Sequence, residues 1–369
     1  MTPIKRALAG ATMALALTSV DVQAAEPVHL VVGYQPYDTI SYSAAVIRDK
    51  ELWKKHLPSG STVEFEAALQ GSIIVNAMIA DKQQIGYLGD MPAVVATTKT
   101  KQASIKLVVS TGFSAGQRCN VVMLRADAPQ FKDPVEAVKW LDGKVIATPK
   151  GSCADRFLRQ VVEKSGIKPA EILNQSIEVI TTNFRVKKID AAVLWEPSVS
   201  RIGDFVGEGV AREVATGHNF GIPDGGFVAM RADFVSKNPE VAKAWLKTEL
   251  EAQRFILDPK NWAEVGRIVK GQTEGITSKM AWFSLFGRVP DDRGGSEIRD
   301  TKPFTFSDEI KKHVAATYTF LHEVKVIDVG EAPEGAIDDS LAQAVLKEAG
   351  LTAPLGEIKA LDASQAPAD

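Results

Sequence analysis

Cysteine is almost missing from this chain: 369 residues contain two, Cys119 and Cys153. That count excludes a cysteine-built metal or redox framework. Histidine is scarce as well. The five imidazoles, His29, His56, His218, His313 and His322, show no H-x-x-x-H spacing, so no metal site is expected. Neither a phosphate loop nor a dinucleotide fingerprint occurs, and no cofactor is expected. An excess of one charge is also lacking. With 43 Lys+Arg against 46 Asp+Glu and a formal charge of -3, the chain has no basic surface wide enough for nucleic acid. Long apolar runs are absent beyond Ala7 to Val20, which is itself shorter than the ~20 residues a membrane-spanning helix needs.

What is present is the composition of a globular protein: 45% hydrophobic and 24% charged residues over a length that predicts two domains. Lys5 and Arg6 precede the apolar run, and Val22-Gln23-Ala24 follows it, so residues 1–24 read as a secretory signal cut after Ala24. No cysteine precedes Cys119 to take a lipid anchor. The expectation is a monomer free in a bacterial periplasm. In that oxidising compartment Cys119 and Cys153 either form one disulfide or stay as two buried thiols.

Hydrophobic periodicity alternates between strand and helix. Strands are expected at His29–Gly33, Thr62–Leu69, Gln84–Leu88 and Ile105–Ser110, with helices at Ser43–His56, Ile73–Asp81 and Met91–Thr98 between them. The rhythm resumes with strands at Asn120–Leu124, Lys144–Thr148, Glu178–Thr181, Ala191–Trp195, Val210–Ala215 and Phe227–Met230. Helices are expected at Pro134–Leu141 and Ala154–Lys164, then at Pro239–Leu257, Ser278–Phe286 and Ser307–Val324. Pro290–Pro303 reads as a loop, and the last dozen residues have little to bury. The fold class is therefore α/β, built on mostly parallel sheets covered by helices.

In such sheets ligands sit beyond the carboxyl ends of the strands, where helix amino termini point. Gln70-Gly71-Ser72 turns the chain into a helix from Ile73: Gly71 allows close approach, Ser72 can cap, and no acid stands in the first turn, which leaves donors for an anion. Ser152-Cys-Ala-Asp155 has capping-box spacing, so its donors serve either Asp155 or a ligand. Asp90, with Pro92 close behind, is an ordinary cap type. Gly112-Phe-Ser114-Ala-Gly116 matches the G-x-S-x-G pattern of a hydrolase, with His218 as the downstream base. The helix that a nucleophile elbow requires does not follow it.

Taken in order, the signal segment, Gly33-Tyr34-Gln35-Pro36, Gln70-Gly71-Ser72, Gly86-Tyr-Leu-Gly-Asp90-Met-Pro92, Lys150-Gly151-Ser152 and Leu194-Trp195-Glu196-Pro197 resemble the periplasmic substrate-binding proteins of ABC importers for nitrate, sulfonates and taurine. The resemblance runs to about Leu257. It implies a two-lobed Venus-flytrap fold with a helical C-terminal extension: residues 25–115 begin lobe 1, 116–222 form lobe 2, 223–330 return to lobe 1 and add helices, and 331–369 are a tail. It implies ligand contacts at Gln35, Gln70, Gly71, Ser72, Asp90, Ser152 and Trp195, with an aromatic on the return strand, here Phe227. Asp38, Asp90 and Glu196 put acids near that set, and Arg118 is the one nearby cation, which suits a ligand carrying an ammonium as well as an anionic head. The implied partners are a small organic anion or zwitterion and a membrane permease, with capture by hinge closure and no chemistry. Two other readings stay open: an enzyme on this scaffold, either pyrimidine-synthase-like or a Ser114 hydrolase, and an exported sensory ligand-binding domain.

Overall fold

The structure, a computed structural model, describes residues 26–203 and 209–368. The expected signal segment and its cleavage point after Ala24 lie outside them. Among the described residues, twelve strands form two sheets. In chain order these are β1 His29–Tyr34, β2 Thr62–Ala67, β3 Ile85–Gly89, β4 Ile105–Ser114, β5 Val121–Arg125, β6 Val145–Thr148, β7 Glu171–Asn174, β8 Ala191–Leu194, β9 Ala211–Thr216, β10 Asp224–Arg231, β11 Ile298–Lys302 and β12 Gly356–Lys359. The larger sheet has the order β12-β11-β4-β10-β3-β1-β2 and the smaller β7-β6-β8-β5-β9.

Each lobe buries its own apolar cluster. The smaller lobe's cluster is drawn from Cys119 through Ile222. The larger lobe has one cluster on each face of its sheet, centred on Trp245 and Trp282 on one side and on Met91 and Tyr318 on the other. The all-buried runs of β3 and β10 follow from helices covering both faces.

The chain passes between lobes twice, from β4 to β5 and from β9 to β10, and the two passages touch. Gly217 N donates to Gly116 O at 2.9 Å. Gly116 has φ +100, and a Cβ there would lie 2.3 Å from Ile222 O, so both the backbone conformation and the space call for glycine. Asp224, the first residue of the return strand, clasps the outgoing one. Its Oδ2 accepts from Ser114 Oγ, Arg118 N and Cys119 N, and its Oδ1 accepts from the Arg118 guanidinium at 2.8 Å.

Four expectations change. The sheets are mixed, because β10 returns from the other lobe antiparallel to both β3 and β4, while β5 runs antiparallel to β8 and β9. Glu178–Thr181 belongs to a helix, Ile177–Arg185, capped by Ser176. Its β-branched residues read as strand, yet the buried positions Ile177, Ile180 and Phe184 keep helical spacing, and the strand is β7 just before it. Pro290–Pro303 holds β11 as well as a turn, since the edge of β4 is free to pair. The 331–369 tail is structured: helix Ser340–Ala349 buries Ala342, Val345 and Leu346, and β12 pairs with β11 and buries Ile358 completely.

Candidate ligand-binding site

The two lobes line a partly open cavity of about 340 Å³. The larger lobe supplies Gln35, Asp38, Gln70, Gly71 and Ser72, and the smaller supplies Lys150, Ser152, Cys153 and Trp195. An apolar side is formed by Val75, Pro92, Val95, Pro149, Leu321 and Val326.

The amino end of helix Gly71–Ile79 forms one wall. Gln70 is its N-cap in extended conformation, no side chain caps it, and its first turn holds no acid. Uncapped first-turn amides and the positive end of the helix dipole favour an anion. Gly71 is required by packing, because a Cβ there would lie 2.5 Å from Pro92 Cγ on the neighbouring helix Asp90–Thr97. That close approach seats the helix end at the cavity. Gln35 is fixed beside it: its N donates to Ser41 Oγ at 3.0 Å, and its Nε2 donates to Tyr87 O at 3.4 Å.

The opposite wall is already capped. Ser152 Oγ accepts from Asp155 N at 3.2 Å and donates to Pro149 O at 2.7 Å, while Asp155 Oδ2 accepts from Gly151 N. Of the two uses open to these donors, the structure shows capping by Ser152, with Asp155 turned back to Gly151 N in place of the Ser152 amide that a full capping box would use. Cys153, the first residue of that helix, is joined by a disulfide to Cys119 at the entry to β5, with the Cα atoms 6.0 Å apart. The bond ties the cavity wall to the start of β5, which lies between β8 and β9 in the smaller sheet. Trp195 is 4% exposed, and its Nε1 donates across the cleft to Tyr37 O at 3.1 Å.

Several sequence candidates are not brought to the cavity. Phe227 is fully buried and stacks on Phe306 with ring centroids 5.6 Å apart, so it is a core residue of the larger lobe. Arg118 is buried between Asp224 and Asp300, where it holds the crossing strands together. Glu196 accepts from Ser200 and pairs with Arg299 at 3.2 Å. Ser114 Oγ donates to Asp224 and accepts from Gly116 N and Gln117 N, which makes it a turn cap inside β4 rather than an exposed nucleophile. Among the described residues no imidazole bonds to it.

Asp90 sits behind the cavity with no exposed surface. Its Oδ1 accepts from Met91 N at 2.7 Å, and its Oδ2 accepts from Arg156 at 2.7 Å and contacts His313 Nε2 at 2.8 Å. Burial acts to raise its pKa, but Arg156 and His313 outweigh burial and hold the carboxyl below the ordinary range. Arg156 comes from the smaller lobe's helix Cys153–Ser165, and His313 from helix Asp308–Glu323 on the larger lobe. The pair is therefore a buried strut across the cleft. Sequence reasoning missed Arg156 and His313, which no short-range signal links to Asp90, and counted Arg118 as the nearby cation. It also missed Leu321, in the last turn of helix Asp308–Glu323, and Val326, in the turn that follows it.

Comparison with known proteins agrees with this architecture. The chain superposes on the alkanesulfonate-binding protein SsuA of Xanthomonas axonopodis pv. citri with a TM-score of 0.66 at 20% identity, over 85% of this chain and 99% of that one. It superposes on the periplasmic nitrate-binding protein NrtA of Synechocystis with a TM-score of 0.66 at 16% identity, over 88% and 89% of the two chains. The desulfurization enzyme DSZB has the same fold, with a TM-score of 0.62 at 12% identity and coverage of 87% and 99%. By sequence, the taurine-binding periplasmic protein of Escherichia coli (strain K12) is 29% identical over 276 residues, which is 74% of this chain and 78% of that protein. The two-lobed periplasmic binding-protein fold expected from the sequence is thus the fold found. A family model described as NMT1-like matches residues 23–270, and the chain belongs to the NMT1-like family.

Proposed function

We propose that this protein is the exported, periplasmic substrate-binding component of an ABC importer, a monomer that captures a small sulfonate-like anion or zwitterion between its lobes and delivers it to a membrane permease. One observation carries the reading: the amino end of Gly71–Ile79, uncapped and free of acids in its first turn, opens into a cavity shared by both lobes. Gln70, Gly71 and Ser72 would hold the anionic head, with Gln35 beside them. Trp195 and the Ser152 wall would close on it from the other lobe. The apolar side suits methylene groups, and the volume exceeds what a bare nitrate ion would fill. The hinge is assigned to the passages around Gly116 and Ile222, where the lobes exchange chain, and closure there buries the ligand.

An enzymatic reading on the same fold has less to stand on. Among the described residues neither cysteine is free, and Ser114 is committed to the crossing strands. Titration calorimetry against taurine, ethanesulfonate, longer alkanesulfonates and nitrate tests the proposal, with mass spectrometry of the recovered compound. Saturable binding of a sulfonate recovered unchanged is expected, with a smaller radius of gyration in small-angle scattering. Turnover of the compound, or no binding across the panel, would overturn it.

A further inference from the structure

The acids near the cleft are not equivalent once their partners are known. Asp90 is paired with Arg156 and His313, Glu196 with Arg299, Asp224 with Arg118, and Asp300 with Arg118 and Lys302. Asp38 lines the cavity, is 7% exposed, and makes no ion pair among the described residues. Its Oδ1 accepts from Ile40 N at 3.1 Å as the cap of the short Thr39–Ser41 turn. Its Oδ2 has no hydrogen-bond partner among the described residues. Burying a carboxylate without an ion-pair partner is costly, and burial, with Asp224 and Asp90 adding to it, outweighs the Ile40 amide and the Arg118 charge and pushes this carboxyl up to about 7. A cation supplied from the cavity would remove that cost.

The cavity lining, which also includes Lys99 and Lys150, therefore presents groups of opposite preference: the uncapped helix end at Gln70–Ser72 for an anion and the carboxylate of Asp38, which makes no ion pair among the described residues, for a cation. We infer that Asp38 is a specificity-determining residue, which receives an ammonium-type nitrogen of the ligand and so selects zwitterions over simple alkanesulfonates. This rests on the anion-capture reading above and adds to it the class of ligand. A charge-assisted bond from such a nitrogen to Asp38 Oδ2 would be made in a largely desolvated site, where it counts for more than at the surface. A ligand lacking the nitrogen would leave Oδ2 buried and unpaired on closure, and that penalty supplies the discrimination.

The test uses taurine and ethanesulfonate, which share an anionic head and differ by the amine, titrated into the wild-type protein and Asp38→Asn. Asparagine keeps the oxygen that caps Ile40 and the side-chain shape, so the variant should fold; urea unfolding monitored beside the titrations confirms it. The expected result is that wild type binds taurine at least tenfold more tightly than ethanesulfonate. Asp38→Asn should lose at least tenfold for taurine and lose nothing for ethanesulfonate. If wild type binds both within threefold, or the variant weakens both equally, the role of Asp38 is overturned while the anion-capture reading stands. If wild type binds neither, that reading fails and the role of Asp38 falls with it.

Discussion

Asp90→Asn separates the chain's local rules from its tertiary structure. Judged by sequence, Asp90 is a helix cap, and asparagine caps as well as aspartate, so the substitution should be silent. In the folded protein Gly89 is the N-cap and Asp90 the first helical residue, with one carboxylate oxygen on Met91 N and the other shared by Arg156 and His313. An asparagine amide cannot reproduce this. With its oxygen toward Met91, its NH₂ faces the Arg156 guanidinium, donor against donor. Flipped, the NH₂ faces the Met91 amide instead. Either way Arg156, itself 2% exposed, loses its counter-charge, and in the first orientation it keeps only Pro223 O at 3.0 Å and Thr317 Oγ1 at 3.4 Å among the described residues. Removing one member of a buried pair costs about 3–5 kcal/mol, most of it the charge left behind. At a urea slope of about 3 kcal/mol/M, the unfolding midpoint should fall by about 1 M or more. Because Arg156 and Asp90 come from different lobes, the variant should also scatter with a larger radius. The double variant Asp90→Asn with Arg156→Met removes the stranded charge and should recover part of the loss. A midpoint equal to wild type for Asp90→Asn, or a double variant no more stable than the two single losses summed, would refute the strut.

Other outcomes follow from the same geometry. Gly116→Ala places a Cβ against Ile222 O at positive φ, so it should lower stability by 1–3 kcal/mol or more, read by calorimetric unfolding, and an unchanged melting temperature would refute the packing of the two passages. Cys119→Ser with Cys153→Ser opens a loop of sequence separation 34, a loss of about 3–4 kcal/mol by chain entropy, measured by urea unfolding against the oxidised protein. Trp195→Phe keeps most of the buried ring but loses the bond to Tyr37 O, and should weaken sulfonate binding by about 1 kcal/mol in calorimetric titration with little change in apo stability. Asp38 adds a pH signature. Its folded pKa is raised to about 7 by burial, with Asp224 and Asp90 adding to the shift and Ile40 N and Arg118 opposing it, so the apo protein binds an extra proton between the unfolded carboxyl range and pH 7. The Asp38 contribution to stability therefore falls as pH rises from about 4 to 7. Relative to Asp38→Asn, the wild-type protein should lose stability over that window, and a difference independent of pH would refute the burial of an unpaired carboxyl.

Much of this protein was written in short-range pattern. The 2- and 3.6-residue periods located the β1, β3 and β4 strands and the Pro239–Leu257 helix, because those residues bury one face or two whatever their partners. The Gln70-Gly71-Ser72 turn was legible for a similar reason, because the absence of an acid from its first turn is a local property, whereas the reading of Ser72 as a cap gave way to Gln70 as an N-cap with no capping side chain. The pairing of Cys119 with Cys153 was one of two readings, and their 6.0 Å approach decided it. What no window of sequence held was which charges meet. Asp38, Asp90, Glu196 and Asp224 look alike as residues, and Arg118 looked like the cation of the cleft. Only the fold carries Arg156 across 66 residues and His313 across 223 to Asp90, sends Arg118 to Asp224 and Asp300, and leaves Asp38 at the cavity wall without an ion pair among the described residues. The same is true of the tail, whose few apolar residues are too sparse to form a core by themselves and fold because β11 offers an open edge to β12. Local structure follows from each segment's own burial pattern, whereas the electrostatics of a site depend on which distant segments the packing brings together.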